Sequence, residues 1–151
     1  MADGKSGPIV VVAGPTASGK SALALDIALE FDGTIINADS MQVYQELQVL
    51  TARPTAADEA RVPHRLFGTV AARDAYSVGR WLEDAKAEIE AACAANRLPV
   101  VAGGTGLYLK ALIEGLAAVP DIPQAVRAEA RALHAELGGT AFRARLAEED
   151  P

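Results

Sequence analysis

The sequence predicts an α/β fold: a parallel sheet flanked by helices, running into the start of a helical insertion. Three observations predict it. Ile9-Val10-Val11-Val12-Ala13 is an apolar, mostly β-branched run that Gly14-Pro15 break at once. A Gly-rich turn, a helix-length segment and a second apolar run follow within forty residues. Beyond Pro120 and Pro123 the chain turns polar and helical, with no further strand pattern.

The first run suits a strand covered on both faces of a parallel sheet. Residues 21–31 carry Leu23, Leu25, Ile27, Leu29 and Phe31 among alanines, without Gly or Pro, as a helix would. Asp32-Gly33 ends that helix and Thr34-Ile35-Ile36-Asn37 reads as the next strand. Such a βαβ unit implies parallel pairing through a right-handed crossover. Residues 39–44 are expected to start a short helix, and residues 51–63 to form a loop or broken helix around Pro54 and Pro63. Leu66-Phe67-Gly68-Thr69-Val70 is a candidate strand. Ser77 can cap a helix whose apolar positions Val78, Trp81, Leu82, Ala85, Ile89, Ala92 and Cys93 share one face, placing Trp81 and Cys93 in the core. Residues 98–102 form another short strand, and Gly103-Gly104-Thr105-Gly106 turns it into a helix over 107–114 that Gly115 stops. Two polar helices, 124–137 and 140–149, flank Gly138-Gly139. The expected organisation is a flexible leader over 1–8, an incomplete α/β core over 9–115, and a helical segment over 116–151. That segment stops mid-stretch at Asp150-Pro151, which reads as truncation.

Composition narrows the function. The chain has 151 residues, and 14 Lys+Arg against 20 Asp+Glu leave a net charge of −6, unsuited to non-specific coating of nucleic acid. Residues 51–80 reverse this locally, with five arginines against three acids. One cysteine, Cys93, excludes an intrachain disulfide and a cysteine-based zinc site. No apolar run approaches the length of a membrane span or a signal-peptide core, so a cytoplasmic protein is expected.

The strongest motif is Gly14-Pro15-Thr16-Ala17-Ser18-Gly19-Lys20-Ser21, a complete G-x-x-x-x-G-K-[ST] phosphate-binding loop (P-loop) between a strand and a helix. Its glycines let successive N–H groups point into one concavity, Lys20 adds a point charge, and the Ser21 hydroxyl is placed to ligate Mg²⁺. This makes the expected fold P-loop NTPase-like. An ATPase would also carry an acid at the end of an apolar strand, yet residues 98–102 end in Gly103-Gly104-Thr105. The acid just past a strand end is Asp39. Carboxyl ends of strands line the crevice of a doubly wound sheet, so Asp39 and Thr105 should face the phosphate loop. Either could equally be a helix N-cap.

Five segments occur in order: residues 14–21; Asp39-Ser40-Met41-Gln42-Val43-Tyr44; Thr51-Ala52-Arg53-Pro54-Thr55; Val62-Pro63-His64-Arg65-Leu66; and residues 103–112. In this the chain resembles the tRNA dimethylallyltransferase (tRNA isopentenyltransferase) family, over about residues 8–151. Leu50 stands where that family usually has Gly, and Arg53 where it usually has Lys, a change of geometry more than of charge. The family runs to about twice this length, so the resemblance is to its N-terminal half, which alone is expected to be inactive. The resemblance implies transfer of a dimethylallyl group from dimethylallyl diphosphate to the exocyclic amine of the adenine 3′ of the tRNA anticodon. Gly14, Pro15, Thr16, Ala17, Ser18, Gly19, Lys20 and Ser21 would hold the diphosphate with Mg²⁺ as cofactor, and Ser21 would touch the metal. Asp39, Ser40, Met41 and Gln42 would contact the target adenine, Asp39 through its amine. Thr105 would lie near the departing oxygen and the tRNA, and Arg127 would touch tRNA. Catalysis would fall to Asp39, Lys20 and Thr105, in a monomer that binds the anticodon loop.

Other readings stay open on the residues alone. A small-molecule kinase would use the loop for ATP and Asp39 to orient a hydroxyl. An isopentenyltransferase of free adenine nucleotides would use the same site, and a non-enzyme would only bind phosphate ligands. His64 could help a phosphate or tRNA contact or be structural, and Arg61 and Arg65 could bind backbone phosphate or form a solvated face. Tyr44 and Tyr108 could stack on a base or prenyl group or be buried against the sheet. His134 has no partner and no assigned role.

Overall fold

The computed structural model describes residues 7–117 and 122–150, in two compact units that divide after Leu116. In the first unit three apolar runs and the dipeptide His64–Arg65 form four parallel strands: β1 (Val10–Ala13), β2 (Gly33–Asn37), β3 (His64–Arg65) and β4 (Leu98–Gly103), in the order β1-β4-β2-β3. Val101 of β4 is paired with Val11 on one side and Ile36 on the other. Helix α1 (Lys20–Glu30) connects β1 to β2, and α3 (Val78–Ala94) precedes β4. A single-turn helix, α2 (Ala56–Glu59), lies between, and α4 (Gly106–Glu114) follows β4.

Alternation along the strands sorts the core into two layers. Val12, Ile35, Val100 and Ala102 pack with Ala24 and Ala28 of α1. Ile36 and Val101 pack on the opposite face with Trp81, Leu82, Ala85 and Ile89 of α3 and with Tyr108 and Ala111 of α4. Central strands buried on both faces are why β2 and β4 read as unbroken apolar runs. β1 departs from that expectation. It lies at an edge of the sheet, where α3 and α4 pack on β2, β4 and each other, and Val11 stays 40% exposed.

Helix α3 starts as its sequence predicts, with Ser77 Oγ accepting from Arg80 N at 3.2 Å. Trp81 is fully buried, stacks on Tyr108 at 4.4 Å between ring centroids, and donates from Nε1 to the Asn37 carbonyl at 2.8 Å. Cys93 is half-buried against the same cluster.

Two expected elements do not form. Residues 66–70 are not a strand, because Leu66 (φ 62°) and Gly68 (φ 60°) adopt left-handed conformations that break an extended chain. The parallel edge strand is His64–Arg65, and Val70 contributes only an isolated bridge to Tyr44. Residues 39–44 form turns, not a helix, and lead into a 3₁₀ turn at Gln45–Leu47. Among residues 51–63, α2 is opened by a capping box between Thr55 and Asp58.

The second unit contains α5 (Gln124–Glu149), interrupted at Gly138 (φ 74°, ψ 162°), so the glycine pair separates two helices as expected. Val126, Leu133, Phe142 and Leu146 of the two halves line one groove, and His134 packs edge-on against Phe142 at 5.3 Å. Residues 1–6 of the expected leader, and residues 118–121 of the expected boundary, lie outside the described residues.

Candidate active site

The phosphate loop joins β1 to α1. Ala17 (φ 62°) and Gly19 (φ 83°) both take left-handed conformations, curling the chain so that α1 begins immediately at Lys20. The first N–H groups of a helix lack intrahelical acceptors, so those of Lys20, Ser21 and Ala22 are available to an anion at this end. Lys20 Nζ donates to the Pro15 carbonyl at 3.1 Å, holding the ammonium against the loop. Ser21 is exposed.

The opposite wall follows β2. Asn37 is fully buried, and its side-chain Oδ1 accepts from Asp39 N at 2.9 Å while Nδ2 donates to the Asp39 carbonyl at 3.0 Å. Asp39 itself makes an Asx turn, Oδ1 accepting from Met41 N at 2.9 Å. It therefore caps no helix. Thr105 occupies the N-cap position of α4, but its hydroxyl caps nothing there. Instead Thr105 Oγ1 accepts from Ser40 N at 2.9 Å and donates to Ser40 Oγ at 3.3 Å, tying the turn after β4 to the turn after β2.

The remaining wall is the segment after that turn. Gln42 Nε2 donates to the Thr51 carbonyl at 2.9 Å. Arg53 Nη1 donates to the carbonyls of Tyr44 and Gln45, at 3.0 and 3.2 Å. Both bonds come from the one nitrogen, so nothing in them requires the planar guanidinium in place of a lysine ammonium.

These walls enclose connected space. A cavity of about 620 Å³ is lined by Thr16 to Ser21, Asp39, Met41, Gln42 and residues 50–52. A narrow crevice of about 30 Å³ shares Lys20, Ser21, Asp39 and Gln42 with it and extends to His64 and Gly103. A third cavity, about 640 Å³, shares Ser21, Pro54 and His64 with the crevice and adds Leu25, Val49, Arg53 and Asp58. His64 Nδ1 lies 3.0 Å from the Val62 carbonyl, a bond that leaves Nε2 as the other ring nitrogen at this junction. Tyr108 is buried against Trp81, and burial, followed by the nearby Tyr44 and Asp39, pushes its phenol above the ordinary tyrosine value. It packs against the sheet with Ile36 and Val101. Among the described residues, no three His, Cys, Asp or Glu side chains cluster to hold a metal.

The structure thus brings Lys20, Ser21, Asp39, Met41 and Gln42 to one cavity and places Ser40 and Thr105 in contact beside it. Arg127 is exposed on α5 in the second unit. Comparison with known proteins bears on the same residues. The family model described as IPP transferase matches residues 42–151, and that described as isopentenyl transferase matches residues 7–69. The chain belongs to the IPP transferase family. It is 61% identical over 144 residues to the tRNA dimethylallyltransferase of Rhodospirillum centenum, covering 95% of this chain and 46% of that protein. Identity to the Rhodospirillum rubrum protein of the same name is 57%, over 99% of this chain and 46% of the relative. The chain thus spans just under half the length of these curated relatives. Among solved structures, the full-length tRNA isopentenylpyrophosphate transferase of Bacillus halodurans aligns with a TM-score of 0.71 at 33% identity, covering 95% of this chain and 48% of that one. A eukaryotic dimethylallyltransferase acting on tRNA aligns with a TM-score of 0.72 at 28% identity, over 87% and 32% of the two chains.

As a member of the IPP transferase family, the chain has a parallel sheet with a phosphate loop, as expected from its motif. What sequence reasoning missed is the scaffold around Asp39, above all Asn37. Its one signal was an amide ending an otherwise apolar strand two residues before an acid, the spacing of an Asx-type contact.

Proposed function

We propose that this chain supplies the donor site and the adenine-activating carboxylate for transfer of a dimethylallyl group from dimethylallyl diphosphate to the exocyclic amine of the adenine 3′ of a tRNA anticodon. The observation that carries this reading is the single cavity shared by the phosphate loop, Lys20, Ser21 and Asp39. The names of the relatives support the same reaction. Its setting would be the cytoplasm, where tRNA is modified.

The residues suit the chemistry. An allylic carbon parts from diphosphate with cationic character, so charge builds on the leaving group as the bond stretches. Lys20 and the N-terminal amides of α1 would take up that charge. The adenine amine attacks the allylic carbon and becomes acidic as it turns positive. The Asp39 carboxylate would accept its proton. Met41 and Gln42 would bound the base, Thr105 would hold the Ser40 turn against it, and Arg127 would contact the tRNA backbone. Mg²⁺ fits the donor set: an exposed Ser21 hydroxyl on the phosphate loop, with no acidic cluster among the described residues, would suit a cation that takes its other ligands from phosphate and water. Bound there, it would neutralise diphosphate charge.

The test joins residues 1–151 in register to the remaining half of the Rhodospirillum rubrum relative. Labelled dimethylallyl diphosphate or γ-labelled ATP is supplied, with tRNA or AMP as acceptor. Prenyl label in tRNA is the expected result. Label in AMP, or phosphoryl transfer from ATP, would overturn it in favour of a nucleotide prenyltransferase or a kinase.

A further inference from the structure

Asp39 sits in a loop, yet its side chain is aimed by a buried amide. Asn37 is fully buried at the end of β2, and every polar atom of its side chain is engaged. Oδ1 accepts from Asp39 N at 2.9 Å, while Nδ2 donates to the carbonyls of Asp39 at 3.0 Å and of Leu66 at 3.1 Å. One rigid amide plane thus holds both the N–H and the C=O of Asp39. With both ends of the residue fixed, the direction of its Cα–Cβ bond is fixed too. The Met41 N–H then orients the carboxyl by binding Oδ1 at 2.9 Å, and Asp39 lines the crevice together with Lys20 and Ser21.

Asn37 is in turn immobilised from behind. Its carbonyl accepts from Trp81 Nε1 at 2.8 Å, and Trp81 is fully buried and stacked on Tyr108. The Leu66 bond closes the arrangement on the other side, tethering the left-handed turn after β3 to the end of β2. A buried amide that lacked these partners would be costly, so the geometry is over-determined.

We propose that Asn37 is the positioning residue for Asp39, setting the carboxylate's aim at the reacting amine without touching the substrate itself. The proposal rests on the reading of Asp39 as the base. The experiment is a double-mutant cycle in the fusion described above: unaltered protein, Asn37→Ala, Asp39→Asn, and both together. It reads single-turnover transfer from bound dimethylallyl diphosphate to tRNA, donor affinity by calorimetry, and melting temperature. Misplacing a reacting group by about 1 Å costs up to ~10²-fold, so Asn37→Ala is expected to slow transfer about 10- to 100-fold. Donor affinity should stay within about twofold, because the phosphate loop is untouched. In the Asp39→Asn background the same change should cost little more, since the group being aimed is gone. Equal losses in both backgrounds, or none in either, would overturn the positioning role while leaving Asp39 as the base. Near-normal transfer by Asp39→Asn alone would remove the base reading, and the proposal with it. If Asn37→Ala does not fold, Asn37→Ser takes its place in the cycle; its hydroxyl can meet Asp39 N but cannot also grip the carbonyl. A serine protein as fast as the unaltered one would equally overturn the proposal.

Discussion

Replacing Lys20 by alanine isolates the contribution of one charge to diphosphate binding. In the structure Lys20 makes a single side-chain hydrogen bond, from Nζ to the Pro15 carbonyl at 3.1 Å on an exposed loop. Its removal therefore disturbs little of the fold, and the unfolding midpoint should barely move. The ligand loses a charge-assisted hydrogen bond, about 1.5–3 kcal/mol for a bond to a charged group. That corresponds to roughly a 10- to 150-fold weaker Kd. Binding should not vanish, because the backbone amides at the start of α1 remain in place. Titration calorimetry of the 151-residue chain with inorganic diphosphate and Mg²⁺ measures this directly. The loss should shrink as salt rises, since the site is open to solvent. Equal affinity in both proteins would refute the reasoning, because the anion would then lie out of reach of Nζ.

Trp81→Phe leaves the Asn37 carbonyl without its indole donor and opens space beside Tyr108; urea unfolding should show a loss of about 2–4 kcal/mol. In the full-length fusion, Asp39→Asn should keep the bond from Met41 N and the donor affinity but lose about 10²–10⁴-fold in single-turnover transfer. Lost donor affinity would instead assign Asp39 to the metal. Hydrogen bonds from Thr55 hold the Asp58 carboxyl below the ordinary carboxylate value. A depressed folded value stabilises above the unfolded one and fades as pH falls through the folded one. Thr55→Ala should therefore raise the Asp58 pKa by NMR titration and cost stability at pH ~7, with that pH-dependent part gone below the folded value.

The fold was legible where burial is uniform along a segment. β2 and β4 are covered on both faces, so their apolar positions are buried whichever face they point to. α3 was legible from Ser77 and one apolar stripe, both local signals. The chain around Asp39 adds distant contacts to its local Asx-type bonds. Asn37 reaches Leu66 across 29 residues, and Ser40 reaches Thr105 across 65. No window of neighbouring residues contains either bond. Leu66 is a further case: a branched residue at φ 62° carries no warning in its type, so residues 66–70 resembled a strand. The edge strand that does form has two residues, too few to show a period. Membership of the candidate site was nonetheless legible, since the phosphate motif and Asp39 each follow a strand whose carboxyl end opens on the same crevice. How Asp39 is held there was not.

The distance between the phosphate loop and Asp39 is set by residues that lack side chains. β4 lies between β1 and β2, so its end separates the two loops that carry the chemistry. A Cβ at Gly103 would collide with the main chain of Ala38, and one at Gly104 would sit 3.0 Å from the Gly14 carbonyl. The end of β4 is thus bare on both sides, and each loop closes directly against it. Immediately beyond, Thr105 supplies the hydroxyl that pins Ser40. Two absent side chains and one short one bring Lys20 and Asp39 to a common crevice of about 30 Å³. Larger residues at Gly103 and Gly104 would still permit a parallel sheet with a phosphate loop, but its anion site and its carboxylate would stand apart. The chemistry of such a site depends on that spacing as well as on the motif, because the diphosphate held by the loop and the amine held by the carboxylate react only when the two are within bonding reach of each other.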